Sequence, residues 1–369
     1  MRPHVRLPPA SRARGAAAAV ALALFLVGCT TSGGTPAATE APLPSPDHPT
    51  RPAPTSWEEL DDRVDALGDV DAVVLVSRVA DATDPSQVPG ARCETVHSAG
   101  DVDKAMPLGS IFKLYVLAAV AEAVEAGALM WDTPLTLTDD VRSLQSGKLQ
   151  DQPAGTVVTV REAAGAMIEI SDNTAADLLV ATVGRDAVLA AMTATGHSDP
   201  SLNTPFLMTR DVFRLGWAGA PGAAQAPAWS ALSEPEQAAA VAALPGGRIG
   251  IYADATATPV WQDGLDWFGS AADLCAVHVA LQDAAGTSMG GPVREILGAD
   301  AEIEIDAWSY VAYKGGGMPG VLADSWYAQD ADGGAVVVSV LLTSSDPATL
   351  QSTDALDELS EAALTLAAG

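Results

Sequence analysis

Segments that read as strands sit at the two ends of this chain and segments that read as helices fill the middle, an order that few folds accommodate. β-Branched residues crowd into 71–80 (DAVVLVSRVA) and 91–97, with Pro89-Gly90 as a turn between them, which predicts an antiparallel hairpin. The strand pattern returns late, at 309–314, 321–328 and 335–343, with a turn at 330–334, and a closing helix over about 347–366 is expected to cover the sheet. The predicted fold is α/β: an antiparallel sheet with flanking helices, interrupted by an all-helical insert.

The insert is read from its start signals. Residues 111–126 are apolar on nearly every side and end at Gly127, which predicts a buried helix with Ser110 and Lys113 on its first turn. Thr159 followed by Glu162 is a capping box that opens a helix to about 170, and further helices are expected at 173–183, 185–195 and 209–217. Ser233 with Glu236 caps another, and Ser270 with Asp273 opens one that runs to about 282. The α/β part is placed at about 57–127 and 290–369, the helical part at about 128–289.

Before residue 57 the composition changes. Arg2, Arg6, Arg12 and Arg14 precede an apolar run over 16–28, shorter than the roughly 20 residues a membrane span needs, so 1–28 reads as a signal peptide. It ends in Leu26-Val27-Gly28-Cys29, which resembles the bacterial lipobox, and Cys29 is the expected site of lipidation. Residues 29–56 are rich in Pro, Thr and Ser without apolar periodicity and are expected to be an extended tether. An exported protein follows, held by lipid at the outer face of the cell membrane; two or three acyl chains would make that anchor stable.

The formal net charge of −28 becomes four units more negative once the leader arginines are removed, which makes nucleic acid and anionic lipid poor partners. Of the other cysteines, Cys93 and Cys275, two separate buried thiols are the expectation, since sequence does not say whether their Cα atoms come within bridging distance. His97, His197 and His278 have no metal-ligand spacing, so no metal or organic cofactor is expected. Gly286 to Gly290 matches the G-x-S-x-G nucleophile elbow, but a helical pattern precedes it where that motif needs a strand.

The chain has only four lysines, and two belong to an ordered set: Ser110-Ile111-Phe112-Lys113, Ser171-Asp172-Asn173 and Lys314-Gly315-Gly316. Three residues apart at the start of a helix, Ser110 and Lys113 project from one side, so the amine can reach the hydroxyl. A serine hydroxyl needs a base, and a buried Lys113 pressed by a second ammonium at Lys314 would be neutral enough to serve. Ser171 is the candidate proton relay and Lys314 the clamp for a substrate carboxylate. The amides of Ser110 and Gly317 are the expected oxyanion donors, and Gly315, Gly316 and Gly317 fit a strand edge that substrate approaches closely.

These motifs, with SDNTAADLL at 171–179 and AYKGGGMPGV at 312–321, resemble the class A β-lactamase family and its penicillin-binding relatives over most of 57–369. The resemblance implies a covalent acyl-serine formed with a β-lactam, a related ester or a peptidoglycan peptide, with Asn173 fixing the acyl side chain. The family's deacylating glutamate has one echo here, Asp199 in Asp199-Pro200-Ser201-Leu202-Asn203; Glu169 is the other candidate carboxylate. Gly315 stands where the family has Thr or Ser, and no Lys or Arg follows Lys314. The expected protein is a monomeric serine hydrolase of β-lactams or esters, with a DD-peptidase and a non-turnover sensor or binding lipoprotein as alternatives.

Overall fold

The computed structural model describes residues 53–369 apart from 83–86, 145, 218–227, 251–255, 300, 302 and 304. The leader, Cys29 and the tether up to residue 52 lie outside the described residues.

The early and late strands of the described residues meet in one five-stranded antiparallel sheet of order β2-β1-β9-β8-β7, formed by β1 (Asp71–Val79), β2 (Cys93–Ala99), β7 (Tyr310–Met318), β8 (Val321–Gln329) and β9 (Ala335–Thr343). β1 and β9 pair along their whole lengths, from Asp71 with Thr343 to Val79 with Ala335. That pairing closes the fold. β9 (AVVVSVLLT) is buried at every position, as a central strand covered on both faces requires.

One face is covered by α1 (Trp57–Asp65) and α10 (Asp354–Ala368), whose Leu60, Leu356, Leu359 and Ala363 pack on Val74, Val76, Val338 and Val340. Each leucine buried this way contributes about 2 kcal/mol. On the other face lie α2 (Lys113–Glu125) and α8 (Ala271–Ala285). Between them the chain runs through α3 (Val160–Glu169), α4 (Asn173–Val183), α5 (Arg185–Thr195), α6 (Thr209–Trp217) and α7 (Glu234–Ala242), and α9 (Gly291–Leu297) follows α8. Two short ribbons complete the chain: β3 (Met106–Pro107) with β6 (Phe268–Gly269), and β4 (Pro134–Thr136) with β5 (Val157–Thr159).

The capping boxes at Thr159, Ser233 and Ser270 are all formed. Residues 109–112 are a 3-10 turn rather than the start of α2, so Ser110 lies just ahead of the α-helix. α1 went unpredicted because WEELDDRVD buries a single residue, Leu60, and is held instead by its Ser56 cap. The expectation of two separate thiols is corrected: Cys93 and Cys275 form a disulfide, with Cα atoms 6.2 Å apart. β2 lies against α8, so the two residues meet across layers that sequence separation gives no hint of.

Three buried carboxyls make stability depend on pH. Burial pushes Asp177 and Asp266 up to about 7 and Asp324 up to about 6. A carboxyl whose pKa is raised by folding binds more protons folded than unfolded between about pH 4 and 7, so stability falls as pH rises through that window. Lys113, whose pKa burial lowers, works in the opposite sense, so the contribution of a carboxyl is read against its own variant: the wild-type Tm minus that of Asp177→Asn, measured by calorimetry, should be larger at pH 5.5 than at pH 8.

Candidate active site

The site forms where three pieces of the fold converge. β3 pairs with β6, and Leu108 N–H donates to Trp267 C=O at 2.8 Å, which delivers the chain into the 3-10 turn Gly109–Phe112. Gly109 has φ +49°, and a Cβ there would stand 2.8 Å from Gly317 N, so conformation and space both require glycine. Ser110 follows, and Lys113 opens α2.

The second piece is the bend between α3 and α4. Ser171 has φ +54°, rare for a residue with a side chain. Next to it Asp172 caps α4 by accepting Ala175 N–H at 2.9 Å, while its other oxygen takes Lys148 N–H at 2.7 Å and Leu149 N–H at 2.9 Å. Gly147 is needed there, since a Cβ would stand 2.1 Å from the Asp172 carboxyl carbon. The third piece is β7, which sets Lys314 on the sheet edge.

Lys113 is fully buried and its Nζ is the hub. It lies 3.1 Å from Ser110 Oγ, 3.0 Å from Ser171 Oγ, 2.6 Å from Ser171 C=O and 2.7 Å from Asn173 Oδ1. Lys314 Nζ donates to Ser171 Oγ at 3.1 Å and to Gly315 C=O at 2.8 Å. Burial first, and then the Lys314 ammonium, hold Lys113 well below the usual lysine range, with Asp172 and Asp177 opposing. A neutral amine has two hydrogens and one lone pair. If the Ser171 carbonyl and Asn173 Oδ1 take the hydrogens, the lone pair is left for a serine hydroxyl. Such an arrangement can pass a proton from Ser110 to Lys113 and on to Ser171.

A family model described as the beta-lactamase enzyme family matches residues 99–366, which takes in β7, β8, β9 and all three pieces of the site. The chain belongs to the β-lactamase enzyme family. Among solved structures it is similar to a β-lactamase from Sphaerobacter thermophilus, at 18% identity and TM-score 0.57, covering 85% of this chain and 98% of that one. It is also similar to a mutant of PBP-A in acyl-enzyme complex with penicillin G, at 15% and 0.54, covering 84% and 95%. A mutant of the ancestral Gram-negative class A β-lactamase gives 20% and 0.54, covering 84% and 97%. Among curated proteins none matches this chain.

In this β-lactamase-family chain the motif residues Ser110, Lys113, Ser171, Asn173 and Lys314 are brought together. The two candidate carboxylates make no hydrogen bond to any of these among the described residues. Asp199 is exposed and spends its Oδ1 within its own turn on Ser201 N–H at 3.1 Å and on the Ser201 hydroxyl, while Glu169 is exposed at the end of α3. Two of the glycines also work differently from the expectation of close substrate approach. A Cβ on Gly315 would meet Tyr313 Oη at 2.2 Å, and that hydroxyl is held over the strand by its 2.8 Å bond to Asp324. A Cβ on Gly316 would stand 2.1 Å from Leu108 O, so this glycine lets the Ser110 turn lie flat on β7.

Sequence reasoning missed two residues. Ser146 donates its hydroxyl to the Ser171 carbonyl that Lys113 also contacts; an isolated serine in a loop carries no signal of this. Asp266 accepts Gly109 N–H at 2.9 Å, immediately before Ser110. Its neighbour Trp267 stacks on Phe112 with centroids 3.7 Å apart, a contact between distant segments that the sequence does not signal.

Proposed function

We propose that this protein is an exported, lipid-anchored serine hydrolase that opens β-lactams or related esters through an acyl-enzyme on Ser110. The observation that carries the reading is the 3.1 Å contact between Ser110 Oγ and a buried Lys113 whose pKa is pressed down by desolvation and by Lys314. Lys113 takes the hydroxyl proton as Oγ attacks the carbonyl carbon, and the amides of Ser110 and Gly317 receive the oxyanion. Ser171, between both lysines, returns the proton to the leaving nitrogen or oxygen. Asn173 is the contact for the acyl side chain and Lys314 the charge for a substrate carboxylate. Export is supported by the arginine-led apolar leader ending at Cys29 and by the disulfide, which persists in oxidising compartments.

A second reading, slow release by a DD-peptidase or a non-turnover binding lipoprotein, is favoured by one observation. Asp199 and Glu169 are both exposed, neither is hydrogen-bonded to the cluster, and Asp199 is engaged within its own turn. Mixing the protein with a penicillin and with a simple ester should give a mass increment localised by peptide mapping to Ser110, and none in Ser110→Ala. A burst followed by a steady slope identifies the hydrolase, a burst alone identifies the binding protein, and D-alanine released from a pentapeptide identifies the peptidase. Absence of any adduct in the wild type would overturn the reading.

A further inference from the structure

The turn that carries Ser110 is gripped from two sides. On one side β7 presses against it: a Cβ on Gly316 would stand 2.1 Å from Leu108 O, and one on Gly109 would stand 2.8 Å from Gly317 N. On the other stands Asp266, 4% exposed, whose Oδ1 takes both Gly109 N–H at 2.9 Å and its own neighbour's Trp267 N–H at 2.7 Å. Its Oδ2 is buried without a hydrogen-bond partner. No cation is hydrogen-bonded to this carboxyl among the described residues, and burial pushes it up to about 7.

A buried carboxyl with one bare oxygen is costly to keep, and hydrophobic packing would fill the same space more cheaply. Its surroundings show that the segment is held in place deliberately. Asn203 pairs with both backbone groups of Phe268, accepting its N–H at 2.9 Å and donating to its C=O at 2.9 Å. His197 Nε2 lies 2.9 Å from the same carbonyl, and Trp267 Nε1 donates to Leu207 C=O at 2.9 Å. The strap 266–269 is thus locked to the loop behind it and, through Asp266 and β6, to the turn in front.

Resting on the reading of Ser110 given above, we infer that Asp266 is a positioning residue for the acylation step. Its Oδ1 holds Gly109 in the left-handed conformation that aims the Ser110 amide beside that of Gly317. Without the accepting oxygen the turn can rock on β7 and the two oxyanion donors part. The substrate would still bind, but charge developing on the carbonyl oxygen would be less well met. Misplacement of reacting groups by about 1 Å costs on the order of 10²-fold in rate.

The test compares Asp266→Leu, which keeps the volume and removes the acceptor, with Asp266→Asn, which keeps an accepting Oδ1. Pre-steady-state mixing with a penicillin and with an ester should show acylation slowed by about 10²-fold in Asp266→Leu, the pre-acylation dissociation constant changed by less than about 3-fold, and Asp266→Asn within about 5-fold of wild type. Wild-type acylation rates in both variants, or equal loss in both, would overturn the inference. So would a lower Tm in Asp266→Leu with an unchanged acylation rate. Amide hydrogen exchange over 106–112 separates this idea from the parent reading. If the wild type forms no adduct, the function proposed for Ser110 fails, while faster exchange in Asp266→Leu alone still supports the clamp and unchanged exchange refutes it.

Discussion

Replacing Lys113 by methionine should slow acylation of Ser110 by roughly 10³-fold, within the range expected for losing a general base. The protein should fold nonetheless, because Met fits the space of the lysine stem and removes an ionisable group from a fully buried position. Tm should hold or rise while rate collapses, a pairing that a merely structural lysine would not produce. The pH dependence makes the argument sharper. Only neutral Lys113 can accept the proton, so acylation rises with pH through its pKa and then levels off. Since burial and Lys314 set that pKa well below the ordinary lysine value, the rise should lie far to the acid side of a free amine. Lys314→Ala removes the second of those two causes, so the rise should move to higher pH as well as losing height. A profile that loses height without moving would show that Lys314 acts on substrate alone.

Much of this arrangement is written locally. Capping boxes announce themselves over four residues, and the apolar saturation of 113–125 needs no knowledge of the neighbours to predict a buried helix. The lysines were legible for a compositional reason: in a chain with four of them, two falling in ordered motifs stand out. What escaped depends on contacts between distant segments. Nothing around Asp266 distinguishes it from the many surface aspartates of this acidic chain until β6 brings it under Gly109. Gly315 read as room for substrate, whereas the space is already taken by Tyr313 and its bond to Asp324. Asp199 echoes the family's carboxylate by its spacing to Leu202-Asn203 but reads more readily as a turn residue before Pro200, and it does cap its own turn while Asn203 is held on Phe268.

Removing the disulfide should cost more stability than any surface change, and it should do so without stopping the chemistry. Cys93 and Cys275 are 182 residues apart, so in the unfolded chain the link closes a very long loop; the chain-entropy account puts its contribution at about 5 kcal/mol, and measured bridges often deliver about half of that. For Cys93→Ala with Cys275→Ala, Tm should fall by about 5 °C. The bridge ties β2, an edge strand paired only with β1, to α8, and Cys275 itself is completely buried. The pieces of the candidate site are held by other means: β7 through β8 and β9, the Ser110 turn through β3, β6 and Asp266. Loss should therefore begin at the β2 edge, seen as faster amide exchange over 93–99, while acylation of Ser110 at 25 °C stays within about 3-fold of wild type. If acylation and melting fall together, α8 would be shown to transmit strain to β6 through Ser270 and Asp273, whose capping box sits directly behind the strap.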